Sequence, residues 1–193
     1  MSAFKKGFAG LGLALMTTVP AFAHVADIPH QHSFIEGVLH PLSGLDHLLA
    51  MLAIGFWAAQ AGGAARWVWP VTFVSVAGFA TVVAQSGYML PAYEPLIALS
   101  VMLLGLIVYA GLSLPIVAGA LLSGAAAFVH GFAHGAEMPI ESDITTFISG
   151  FLITTALLHA AGLMIAPRLN DVFQRIAGGF VATCGALLLA ATF

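Results

Sequence analysis

The chain has 193 residues, of which 61% are hydrophobic and only 7% charged. Soluble domains carry about 25% charged residues, and a mean hydropathy of +1.04 points instead to an integral membrane protein. Five basic residues against eight acidic ones, for a formal net charge of −3, exclude the basic surface that nucleic-acid binding requires.

The chain opens with a positive pair, Lys5 and Lys6, followed by a short apolar core from Phe8 to Val19 and the small-x-small triplet Ala21-Phe22-Ala23. That core is short for a membrane span of about 20 residues, so residues 1–23 read as a secretory signal peptide cleaved before His24. Residues 24–33 then form a histidine-containing periplasmic tail. A free terminal amine beside His24, with His30 and His32 close behind and Asp27 and Glu36 nearby, makes a candidate for metal capture outside the membrane.

Six apolar segments follow, at about 34–60, 66–88, 94–111, 114–136, 143–166 and 171–192. Each is long enough to cross a hydrocarbon core of about 30 Å as a helix. The expected fold is all-α: a bundle of six transmembrane helices over residues 34–193. Gly62-Gly63, Pro91 with Pro95, Ser113-Leu114-Pro115, Met138-Pro139 and Pro167 mark the breaks. Asp143 and Asn170 are placed to cap the last two helices. An external N-terminus puts the first-to-second and fifth-to-sixth connections in the cytoplasm. These carry Arg66, Arg168 and Arg175, the only basic residues after position 23, in agreement with the positive-inside rule. The acidic Glu137, Glu141 and Asp143 then lie outside, and an even number of spans returns the C-terminus to the periplasm. The lone Cys184, in an apolar segment, reads as a packing residue. The sequence sets no oligomeric state.

Two clusters of ionisable residues interrupt this pattern. One is His40-Pro41-Leu42-Ser43-Gly44-Leu45-Asp46-His47, and the other is His130-Gly131-Phe132-Ala133-His134-Gly135-Ala136-Glu137. Ionisable groups inside a membrane helix cost about 2.5–3.5 kcal/mol each on insertion scales and are functional by default. On a continuous first helix, His40 would lie about 9 Å and His47 about 20 Å from the outer surface, with His130 about 9 Å and His134 about 3 Å from the same surface. His40 and His47, seven apart, would share a face with Gly44 and Met51. His130, His134 and Glu137 would form one stripe. Asp46 is either a direct ligand or a carboxylate that orients an imidazole, and Pro41 is placed to kink the helix start. Imidazole with carboxylate suits nickel, zinc, cobalt or copper(II), and the absence of a nearby thiolate disfavours copper(I). His159, about 24 Å from the outer end of the fifth segment, is a candidate exit ligand or relay, with an interhelical hydrogen bond as its structural alternative.

The segments HPLSGLDHLLAM and FVHGFAHGAE resemble the HupE/UreJ family of nickel permeases. The family marks are a histidine followed six residues later by Asp-His in the first mature span, and HG-x-AHG-x-E in the fourth. Both are complete here, and a signal peptide with six spans agrees along the whole chain. The resemblance implies a non-enzymatic inner-membrane permease that imports Ni²⁺, with Co²⁺ as a second ion, for hydrogenase or urease. It implies a metal site of His40, Asp46, His47, His130, His134 and Glu137, with the ion as cargo and no prosthetic group. The first competing reading is an intramembrane metal-dependent hydrolase, in which a carboxylate activates zinc-bound water; the second is a haem-binding electron carrier with paired axial histidines, which a visible absorption spectrum would reveal. The chain has no HExxH pair to support the hydrolase.

Overall fold

The structure is a computed structural model and describes residues 33–139 and 142–193. The expected signal peptide, the tail with His24, His30 and His32, and Glu141 lie outside the described residues.

All regular elements among the described residues are helical: α1 (Ser33–Ser43), α2 (Leu45–Ala61), α3 (Ala65–Gln85), α4 (Tyr93–Ala110), α5 (Ile116–Ala136), α6 (Ile144–Ile165), a short 3₁₀ turn (Ala166–Arg168) and α7 (Asp171–Ala190). Five of these are long and apolar enough to cross a membrane, and the bent pair α1–α2 makes a sixth if counted as one broken span. The protein is a multi-pass membrane protein.

The boundaries follow from local chemistry. Gly62 and Gly63 turn the chain between α2 and α3 with φ of 74° and 51°, and Gly111 ends α4 at φ 61°, conformations that glycine adopts without penalty. Both expected caps form. The Asp143 side chain accepts from the Thr146 amide at 2.8 Å, and that of Asn170 from the Phe173 amide at 3.1 Å. The Thr146 hydroxyl and amide together hold the Asp143 carboxyl below its ordinary pKa.

The expectation of one continuous helix over 34–60 is corrected. The chain bends by 82° between α1 and α2, with Gly44 extended at φ −97°, ψ 121°. Pro41 removes a helix donor one turn before the break. Polar side chains then serve the freed backbone groups: the Ser43 hydroxyl donates to the His40 carbonyl at 2.7 Å, and the His47 amide donates to the Asp46 carboxylate at 2.8 Å. Non-helical backbone at membrane depth is tolerated where protein satisfies it in this way. His40 and His47 therefore do not share a helix face, and depths counted along a straight helix do not apply.

Helix α2 forms the centre, with buried residues along most of its length. It packs with α1 on α6, while α3 packs on α5 and α4 on α7. Glycines let these backbones meet. A Cβ at Gly55 would overlap the His159 carbonyl, and one at Gly162 the Leu52 carbonyl, so α2 and α6 touch backbone to backbone. The bundle's outer face carries large apolar side chains such as Trp67, Phe79 and Leu121, which suits contact with lipid.

The two ends differ in charge. At one end the Gln60 amide donates to Gln174 at 2.9 Å and to the Val108 carbonyl at 3.2 Å. This gathers the helix ends near Arg66 and Arg175 and the turn that carries Arg168. At the other end Ser142 donates to Glu36 at 2.8 Å, the Asp143 amide donates to Ser33 at 3.0 Å, and His40 meets Glu137.

Candidate metal site

The break in the first span brings His40, on α1, back over the start of α2. Helix α5 presents His130 and His134 to the same space, because Gly131 and Gly135 lie flush on the α3 backbone at Ala77 and Thr81. The four imidazoles form one cluster. Ring centres are 4.2 Å apart for His47 and His134, 4.7 Å for His40 and His134, 5.0 Å for His47 and His130, and 6.4 Å for His40 and His47. His47, His130 and His134 are buried, and His40 is half-buried at the rim of the cluster.

Both carboxylates of the two motifs attach to this cluster. Asp46 Oδ1 lies 2.8 Å from His47 Nδ1, and Glu137 Oε2 lies 3.2 Å from His40 Nε2. The first contact matches the orienting role that the sequence left open for Asp46. All six motif residues are thus brought together, although His40 and His47 meet through the bend rather than along one helix.

Hydrogen bonding decides which nitrogens are free. A carboxylate can only accept, so a neutral His47 carries its proton on Nδ1 and leaves a lone pair on Nε2. The Ser100 hydroxyl donates its one proton to the Ile97 carbonyl at 2.7 Å, so its 2.8 Å contact with His130 Nε2 has the imidazole donating. That leaves the lone pair on His130 Nδ1. The atoms so freed, His47 Nε2 and His130 Nδ1, are buried without a hydrogen-bond partner, as are both ring nitrogens of His134. Buried polar atoms are nearly always paired, and an unpaired one costs about 1–3 kcal/mol. Four in one cluster are expected where a cation is the missing partner.

The spacing agrees with that reading. With metal–nitrogen bonds of about 2.0–2.1 Å, two liganding imidazoles have ring centres roughly 5 Å apart, within the observed range. Among the described residues no group of three or more His, Cys, Asp or Glu side chains is positioned to hold a metal ion as the rings stand, so a metal site here would need side-chain rotation within the cluster.

The chain matches the HupE / UreJ protein family model over residues 12–188. It belongs to the HupE/UreJ family. Protein HupE of Rhizobium leguminosarum bv. viciae is 41% identical over 175 residues, covering 89% of this chain and 92% of that protein. No solved structure matches. The family match spans both clusters and reaches into every described helix, ending two residues before the end of α7.

Sequence reasoning missed Ser100 and Phe73. Ser100 is the only polar side chain in α4 between Glu94 and Tyr109, which was the available signal. Phe73 stands 6.1 Å from His130 and 4.9 Å from His159, centre to centre, and nothing in an apolar helix distinguishes it. His159 lies outside the cluster, with Nδ1 2.7 Å from the Met51 carbonyl.

Proposed function

We propose that this protein is an inner-membrane permease for divalent transition-metal ions, Ni²⁺ first and Co²⁺ second, that imports metal from periplasm to cytoplasm for metalloenzymes such as hydrogenase or urease. The observation that carries this reading is the set of unpartnered imidazole nitrogens of His47, His130 and His134, buried in one cluster inside a membrane bundle. Family membership supports it. The metal ligands are His40, His47, His130 and His134. Asp46 fixes the tautomer of His47, and Glu137 holds His40 at the outer rim. Neutral imidazoles suit transport because the ion must leave as well as bind.

The arginine-rich end faces the cytoplasm in this account, so both termini are periplasmic and the rim of His40, Glu36 and Glu137 receives the ion. Residues 1–23 act as a cleaved signal peptide, and the tail histidines His24, His30 and His32 collect metal ahead of the rim.

The test is radioactive nickel uptake into metal-starved cells, comparing the intact chain with His47→Ala at equal membrane abundance and adding cobalt, zinc or copper as competitors. Uptake that depends on His47 supports the permease. Absent uptake, with stoichiometric metal retained by the purified protein, would favour a membrane metalloenzyme.

A further inference from the structure

The imidazole cluster is not the last histidine along the bundle. On α6, Phe147 lies 5.8 Å from His40 and Phe151 lies 4.2 Å from His134, ring centre to ring centre. His159 follows Phe151 by eight residues, about 12 Å further along the helix. It is 1% exposed. Its Nδ1 faces the Met51 carbonyl at 2.7 Å, and a carbonyl can only accept, so a neutral His159 carries its proton there and its lone pair on Nε2. That Nε2 is buried and has no partner.

The surroundings of His159 separate it from the cluster above and from the bundle end below. The Phe73 ring contacts it edge-on at 4.9 Å and also borders His130 at 6.1 Å. One turn from Phe73 on α3, Trp69 stacks on Trp57 with ring centres 4.0 Å apart. Both indoles are fully buried. Each is pinned by its N–H, Trp57 to the Leu112 carbonyl at 2.7 Å and Trp69 to the Ile116 carbonyl at 3.0 Å. An ion moving from the cluster toward the arginine-rich end meets Phe73, then His159, then the stacked tryptophans.

We propose that His159 is a second, inner ligand station for the transported divalent cation, reached when the Phe73 ring moves aside and held above the closed Trp57–Trp69 stack. This rests on the permease reading. A single imidazole with a preset lone pair binds a borderline metal ion weakly enough to pass it on. The bond to Met51 aims the ring, as a backbone carbonyl does for a metal-ligating histidine.

The test separates ligation from packing. In His159→Asn the side-chain amide can still donate to the Met51 carbonyl, but nothing replaces Nε2. The purified variant should bind nickel at the outer cluster with the affinity of the intact chain, while cells carrying it lose most of their nickel uptake at equal membrane abundance. Should His159→Asn fail to reach the membrane, His159→Leu, which leaves no ligating atom at the Nε2 position, is judged by the same two readouts. Unchanged uptake by a well-folded variant, beside an active intact chain, would overturn the inner station and leave the permease standing. No uptake by the intact chain would overturn both.

Discussion

Replacing His134 by leucine should make the metal-free protein more stable while greatly reducing its response to nickel. His134 is fully buried among His40, His47 and Phe151, and neither of its ring nitrogens has a hydrogen-bond partner. The substitution therefore breaks no hydrogen bond. It relieves two unsatisfied polar atoms, each worth about 1–3 kcal/mol, and leucine fills a similar volume with apolar contacts to Phe151. The predicted net gain is on the order of 1 kcal/mol or more. Nickel should act unequally on the two proteins. At a free concentration of 100 times its dissociation constant, a bound ion stabilises the intact chain by about 2.7 kcal/mol, and His134→Leu should gain far less. The assay is thermal unfolding of purified protein in detergent, with chelator and then with buffered nickel. A variant less stable than the intact chain under chelator would show that His134 serves packing, and the reasoning from unpartnered nitrogens would fail.

Other substitutions probe separate parts of the account. Asp46→Asn removes the charge that fixes the His47 tautomer but keeps an oxygen for the His47 amide, so nickel affinity should fall about 10–100-fold with α-helix content unchanged by circular dichroism; complete loss of binding would make Asp46 a direct ligand. Gly44→Ala should weaken nickel binding in the same assay, because its Cβ would sit 2.8 Å from the Asp46 carboxylate; affinity equal to that of the intact chain would contradict this. Gly162→Ala should lower the yield of folded protein, since a Cβ there overlaps the α2 backbone and overpacking costs about 1–3 kcal/mol, read as a lower unfolding temperature. Asn170→Ala removes the α7 cap and should cost about 1 kcal/mol without altering nickel affinity.

The helices were legible because membrane spans announce themselves by length and apolarity. The segments 66–88, 94–111, 114–136, 143–166 and 171–192 correspond to α3 through α7 within a few residues, and Asp143 and Asn170 cap where their side-chain chemistry allows. The break at Gly44 was not legible. Pro41 signalled a kink, but a bend of 82° depends on α1 packing across α6, which periodicity along one segment does not contain. The same limit applies to the site. The motifs mark His40, Asp46, His47, His130, His134 and Glu137, whereas Ser100 reaches His130 from a different helix, and the Met51 carbonyl that aims His159 is a backbone group that no side-chain pattern can reveal.

The most direct measurement is nickel X-ray absorption on the purified, nickel-loaded protein, because it counts the imidazoles bound to the ion. The account predicts a nickel shell with scattering from several histidines, which collapses in the His47→Ala, His134→Ala double variant. Nickel held by oxygen ligands alone, with a spectrum unchanged by that double variant, would contradict it.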